Sequence, residues 1–120
     1  MGADGFAKRL DEVRQRFAAR LLDRIAEIDG ALPQLTGEGG VALTAVSTAH
    51  RQLHDLCGAG PTLGFHATGK AARACEQILL QPARMKRGLT QQEMAQLSES
   101  LAGLQAAARI DMQSTSIVPE

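Results

Sequence analysis

Tryptophan and tyrosine are both missing from this 120-residue chain, and its aromatic side chains amount to Phe6, Phe17 and Phe65. It therefore lacks the platforms on which single-stranded nucleic-acid binders stack bases. Net charge is missing too: 13 lysines and arginines balance 13 aspartates and glutamates. No bulk field holds a nucleic acid or an anionic membrane, and a partner has to be recognised locally. Cysteine is limited to Cys57 and Cys75, which do not form a dense disulfide framework and read as free thiols in a reducing cytosol. The first residues alternate charged and apolar side chains with no long hydrophobic run, so neither a signal peptide nor a spanning helix is expected, and the protein reads as soluble and cytoplasmic. There is no G-x-x-x-x-G-K-[ST] loop of the kind that cradles nucleotide phosphates. Strand-like alternation, long repeats and low-complexity tracts are absent as well.

What is present is helical periodicity over a length that suits one domain, read as residues 1–112 with a flexible tail at 113–120. Phe6, Leu10, Val13, Phe17, Leu21, Ile25, Ile28 and Leu32 recur every three or four residues and predict a long amphipathic first helix, ended by Gly30 and Pro33. Lys8, Asp11, Glu12, Arg16, Arg20, Asp23 and Glu27 form its solvated face. The segment Thr36-Gly37-Glu38-Gly39-Gly40 is a connection. A second helix is predicted from Val41 to Cys57, carrying Val41, Leu43, Val46, Leu53 and Leu56 inward and broken by Gly58, Gly60 and Pro61. Thr62 is a candidate cap for a third helix that turns Leu63, Phe65, Ala67, Ala71, Ala74, Cys75, Ile78 and Leu79 inward and stops before Pro82. After a basic connection holding Arg84, Lys86 and Arg87, Thr90 and Glu93 have the spacing of a capping box. They open a fourth helix whose inward stripe is Met94, Leu97, Leu101, Leu104, Ala108 and Met112, running to about Ile110. Four such helices with short connections predict an all-α fold, an antiparallel four-helix bundle of up-down-up-down topology.

The chemistry-bearing residues gather in His50 to Gly64, H-R-Q-L-H-D-L-C-G-A-G-P-T-L-G. His50 and His54 lie four apart with Cys57 a turn beyond. No acidic residue sits between the histidines as in H-E-x-x-H, and there is no Cys-x-x-Cys pair, so no metal site is expected. A Cys–His hydrolase is disfavoured because neither oxyanion donors nor an orienting group can be identified. Cys57 and Cys75 read as packing residues. His54 is set apart by its surroundings on the helix. It lies about 160° round from the inward Leu56, so its imidazole faces out. Gly58, one turn later on the same face, leaves only backbone where a side chain would crowd the ring.

The segment from Ala49 to Glu76, and above all H-D-L-C-G-A-G-P-T-L-G-F, resembles the histidine-containing phosphotransfer domains, including the phosphoacceptor domain of chemotaxis-type histidine kinases. The similarity extends as helix layout over roughly Phe6 to Ile110. It implies that His54 takes a phosphoryl group from the aspartyl phosphate of a response-regulator receiver domain and passes it on in a two-component phosphorelay, with a hybrid histidine kinase as a further partner. It also implies that Glu76, twenty-two residues on, accepts the Nδ1–H bond of His54 and leaves Nε2 as the nucleophile. An ordinary solvated carboxylate is the alternative for Glu76. Many relatives carry a lysine three residues after the histidine; here that residue is Cys57. Arg51, Lys70 and Arg73 are the candidates to supply the missing charge, and Arg73 can equally pair with Glu76. Leu63 and Phe65, if exposed, would dock the receiver. The expectation is a monomeric phosphocarrier, not an enzyme in its own right, that binds no cofactor, no nucleic acid and no membrane, with Mg2+ on the receiver. A helical adaptor that binds a signalling protein without phosphotransfer is the rival reading.

Overall fold

The architecture was read from a computed structural model that describes residues 2–116. Helix α1 spans Gly2–Gly30, α2 Gly40–Thr62, α3 His66–Arg84 and α4 Gln91–Ser116, and a short 3-10 helix, Leu32–Leu35, follows α1. Helix α2 packs on α3, α3 on α4 and α4 on α1, with lighter contact between α1 and α2 closing the ring. This is the expected all-α four-helix bundle. Its core is one cluster built from all four helices, including Leu21, Ile25, Leu53, Leu56, Leu79 and Leu101.

The first helix is longer and less covered than its stripe suggests. Phe6 is 64% and Val13 39% exposed, and just beyond them the Arg14 guanidinium donates to the carbonyl of Leu63 at the α2–α3 corner. Residues before Arg14 therefore run past the α2–α3 corner, beyond the cover of α2 and α3. At the other end Pro33 sits at the start of the 3-10 helix, so the chain tightens through Leu32 instead of stopping there. The Leu89 N–H donates to the Leu35 carbonyl at 2.9 Å and ties this turn to the connection before α4.

Helix α2 does not end at Cys57. It runs through Gly58 and Gly60 to Thr62, with Pro61 in its last turn. A proline this close to a C-terminus forfeits a single N–H bond, and the corner replaces what the last carbonyls lack. Phe65 N–H donates to Gly60 O at 2.7 Å and Gly64 N–H to Pro61 O at 3.1 Å, the paired bonds of a Schellman ending. Gly64 has φ +90°, a conformation in which a side chain would be strained. Thr62 is thus the last residue of α2, its hydroxyl donating to Gly58 O, and it caps nothing. Phe65 lies in the corner, not in a helix, and is fully buried, with its ring edge-on to Phe17 at 5.0 Å.

The inward faces of α2 and α3 match expectation in part. On α2, Val46, Leu53 and Leu56 are buried as expected, but Val41 and Leu43 are exposed, and Ala42 and Ala49 complete the buried face instead. On α3 the buried set is Thr68, Gly69, Ala72, Cys75, Leu79 and Pro82, while Ala74 faces solvent. Small residues occupy this seam because the two backbones approach closely. A methyl added at Gly69 would stand 2.6 Å from the Pro61 ring, and one at Gly60 3.1 Å from the Phe65 carbonyl. Pro82 does not stop α3, which continues to Arg84. A second Schellman pair then ends it: Arg87 N–H donates to Pro82 O and Lys86 N–H to Ala83 O, with Lys86 itself at φ 52°.

The opening of α4 agrees with the sequence. Thr90 N–H donates to Glu93 Oε1 and Glu93 N–H donates to Thr90 Oγ1, the reciprocal capping box. Arg87 adds two bonds to the Glu93 carboxylate at 2.8 and 3.0 Å. That guanidinium, with help from the Thr90 backbone, outweighs desolvation and holds the Glu93 carboxyl down at about 2. The helix extends to Ser116, past the expected start of a tail at Gln113, and residues 117–120 lie outside the described residues. Near its end the Asp111 carboxylate accepts from both the N–H and the hydroxyl of Thr68, each at 2.7 Å. An anion from α4 thereby fills the N-terminus of α3, which has no side-chain cap of its own.

Candidate functional site

Helices α2 and α3 are antiparallel neighbours joined by the three-residue corner Leu63–Phe65. His54 lies roughly 12 Å up α2 from that corner and Glu76 about 15 Å up α3, by the rise per helical residue. The tight corner therefore sets residues twenty-two apart in sequence level with each other. Leu53 and Leu56 are buried on either side of His54 and fix the rotation of α2, so the His54 side chain is turned out and 69% exposed.

His54 Nδ1 and Glu76 Oε2 are 2.6 Å apart. An ionised carboxylate only accepts, so this bond puts the proton on Nδ1. The neutral ring then carries its lone pair on Nε2, and the geometry supplies an oriented nucleophile on an exposed side chain. Glu76 is 18% exposed and is not solvated scenery. Its ion pairs among the described residues are with histidines, His54 and His50; Arg73 makes none with it.

Around this pair the predicted residues fall into two groups. Gly58 is exposed, and a methyl built on it would meet nothing within 4 Å. Cys57 is half-buried and Cys75, next to Glu76, fully buried, both as free thiols. Burial pushes the Cys75 thiol up to about 12, which keeps it a packing group. Arg51, Lys70 and Arg73 are exposed, and among the described residues none of them forms a hydrogen bond or ion pair. The Gly69–Pro61 contact fixes the register of the seam, and in that register Arg73 lies level with Cys57. Arg51 lines a shallow groove with Lys86 and Arg87 toward the far end of α3. Phe65 is sealed in the core, which removes it from any docking surface, and Leu63 is half-buried. Among the described residues no cluster of side chains suits a metal ion, and no helix is long and apolar enough to cross a membrane.

Sequence reasoning puts His50 on the face of His54, as a residue that could line a partner surface, but does not link it to Glu76. Its ring lies parallel to that of His54, with centroids 6.4 Å apart and planes 13° from parallel. Its Nε2 is 3.7 Å from the same Glu76 oxygen that bonds His54. The four-residue spacing of the histidines is the available signal, but a spacing alone suggests a metal pattern and says nothing of a shared carboxylate on another helix.

The family model of the Hpt domain matches residues 12–107. The chain belongs to the Hpt domain family. Hpt domains are phosphocarriers that work with receiver domains and kinases in phosphorelays, and the matched span of this Hpt domain takes in α2, α3 and the His54–Glu76 pair. No curated protein and no solved structure matches the chain.

Proposed function

We propose that this Hpt domain relays phosphoryl groups between receiver-domain aspartates through His54. The observation that carries the reading is the 2.6 Å approach of Glu76 Oε2 to His54 Nδ1 on an otherwise exposed imidazole. In the forward step the Nε2 lone pair attacks the phosphorus of an aspartyl phosphate. The N–P bond forms as the P–O bond to the aspartate breaks, and the aspartate leaves as a carboxylate. The proton stays on Nδ1, where Glu76 offsets the positive charge that the ring acquires. Transfer to a second receiver runs the same step in reverse. Mg2+ and the carboxylates that hold it belong to the receiver, and this chain contributes position and a ready lone pair.

The charge that relatives draw from a lysine falls here to Arg73, which is exposed, level with Cys57 across the seam and, among the described residues, without a hydrogen bond or ion pair. Gly58 gives the receiver room to reach the ring. No deep pocket is needed, since the reacting atom lies on the surface and the partner encloses it.

The test is to incubate the protein with radiolabelled phosphoreceivers and look for acid-labile, alkali-stable label. His54→Gln should remove the label entirely, and Glu76→Ala should slow its appearance in a protein that still folds. Label that survives in His54→Gln would sink the assignment, and a helical adaptor would take no label at all.

A further inference from the structure

The His50 Nε2 atom is sealed from solvent and has no hydrogen-bond partner among the described residues. A buried imidazole nitrogen without a partner is costly and asks for an explanation. The polar atom in its reach is Glu76 Oε2 at 3.7 Å, too long for a bond as it stands and close enough for a small rotation of either side chain to close. That same oxygen accepts from His54 Nδ1. Both rings hang from one face of α2, one turn apart and nearly parallel, so both can address one carboxylate oxygen from the same side.

Resting on the reading of His54 above, we infer that His50 is a positioning residue: its Nε2–H donates to Glu76 Oε2 and aims that carboxylate at His54 Nδ1. Glu76 stands on a flexible stem of three rotatable bonds, and a single contact to an exposed ring leaves it free to swing into water. A second donor, three-quarters shielded at 25% exposure, holds it from the buried side. His50 then acts on the chemistry only through Glu76. With the carboxylate held, His54 stays in the Nδ1–H tautomer and keeps its lone pair on Nε2. With it released, the tautomers redistribute and the fraction of nucleophilic Nε2 falls.

The experiment compares His50→Leu and His50→Asn, which remove a donor at that reach, with His50→Gln, whose side-chain amide reaches where Nε2 does. Nitrogen NMR of the His54 ring in the unphosphorylated protein reads the tautomer directly, and phosphotransfer from a phosphorylated receiver reads the consequence. The Leu and Asn variants should gain Nε2–H tautomer and slow the transfer by about tenfold, equivalent to about 1.4 kcal/mol. The Gln variant should restore both. In a Glu76→Ala background His50→Leu should add nothing, since the contact it acts through is gone. A folded His50→Leu or His50→Asn protein with the wild-type tautomer ratio overturns the inference, as does a further loss in the Glu76→Ala background. The NMR readout needs no phosphorylation, so it decides the role of His50 even if no receiver ever labels His54.

Discussion

Gly58 offers a perturbation in which stability and function are expected to move in opposite directions. It lies in α2 four residues before the helix ends at Thr62, it is exposed, and a methyl added there meets nothing within 4 Å. Nothing inside the molecule requires a glycine at this position. Replacing glycine by alanine in a helix interior gains about 1 kcal/mol, partly by restricting the unfolded chain, so Gly58→Ala should raise the melting temperature by about 4 °C. The only cost is borne by a partner that approaches His54 one turn away. A methyl wedged into a well-fitted contact costs roughly 1–3 kcal/mol, so transfer from a phosphoreceiver at subsaturating concentration should slow about tenfold. Gly69→Ala is the internal control. Its methyl would stand 2.6 Å from the Pro61 ring, so it should destabilise the fold by about 1–3 kcal/mol. The assays are thermal unfolding followed by circular dichroism and initial phosphotransfer rates on the same preparations. A stabilised Gly58→Ala protein that transfers at the wild-type rate would refute the clearance argument, and a destabilised one would refute the reading of open space.

Three further expectations concern the scaffold. The Glu93 carboxyl is held at about 2 instead of 4.5, so its contribution to stability is complete above about pH 4.5 and is lost as the pH falls toward 2. Glu93→Gln should lower the melting temperature at neutral pH and converge with the wild type near pH 2, and parallel curves would contradict the assignment. Asp111→Ala strips two bonds from the buried Thr68 and should cost about 3 kcal/mol in urea unfolding; a loss under about 1 kcal/mol would mean that water replaces the carboxylate there. With the Cys75 thiol buried and raised to about 12, a thiol reagent should label Cys57 in the native protein and reach Cys75 only on unfolding, and equal labelling rates would count against it.

Much of the bundle was determined by the sequence alone because its signals are local. The stripe from Leu97 through Leu101 and Leu104 to Ala108 and the Thr90–Glu93 capping box each need only the chain within a few residues, and both stand as expected. The segment around His54 is equally local, and its resemblance points to the family whose model covers residues 12–107. What sequence reading misplaces depends on neighbours distant in the chain. Pro61 and Pro82 look like stops, yet each sits in a last turn whose carbonyls are taken up by the Schellman bonds beyond it. Val41, Leu43 and Phe6 match the helical period, but whether a stripe is covered depends on where the next helix lies, and none lies over them. The packing of small residues along the α2–α3 seam, the reach of Asp111 to Thr68, and the meeting of His50 and His54 at one oxygen of Glu76 are decided by tertiary structure. Each is a distance between helices, and no spacing within a single helix encodes it.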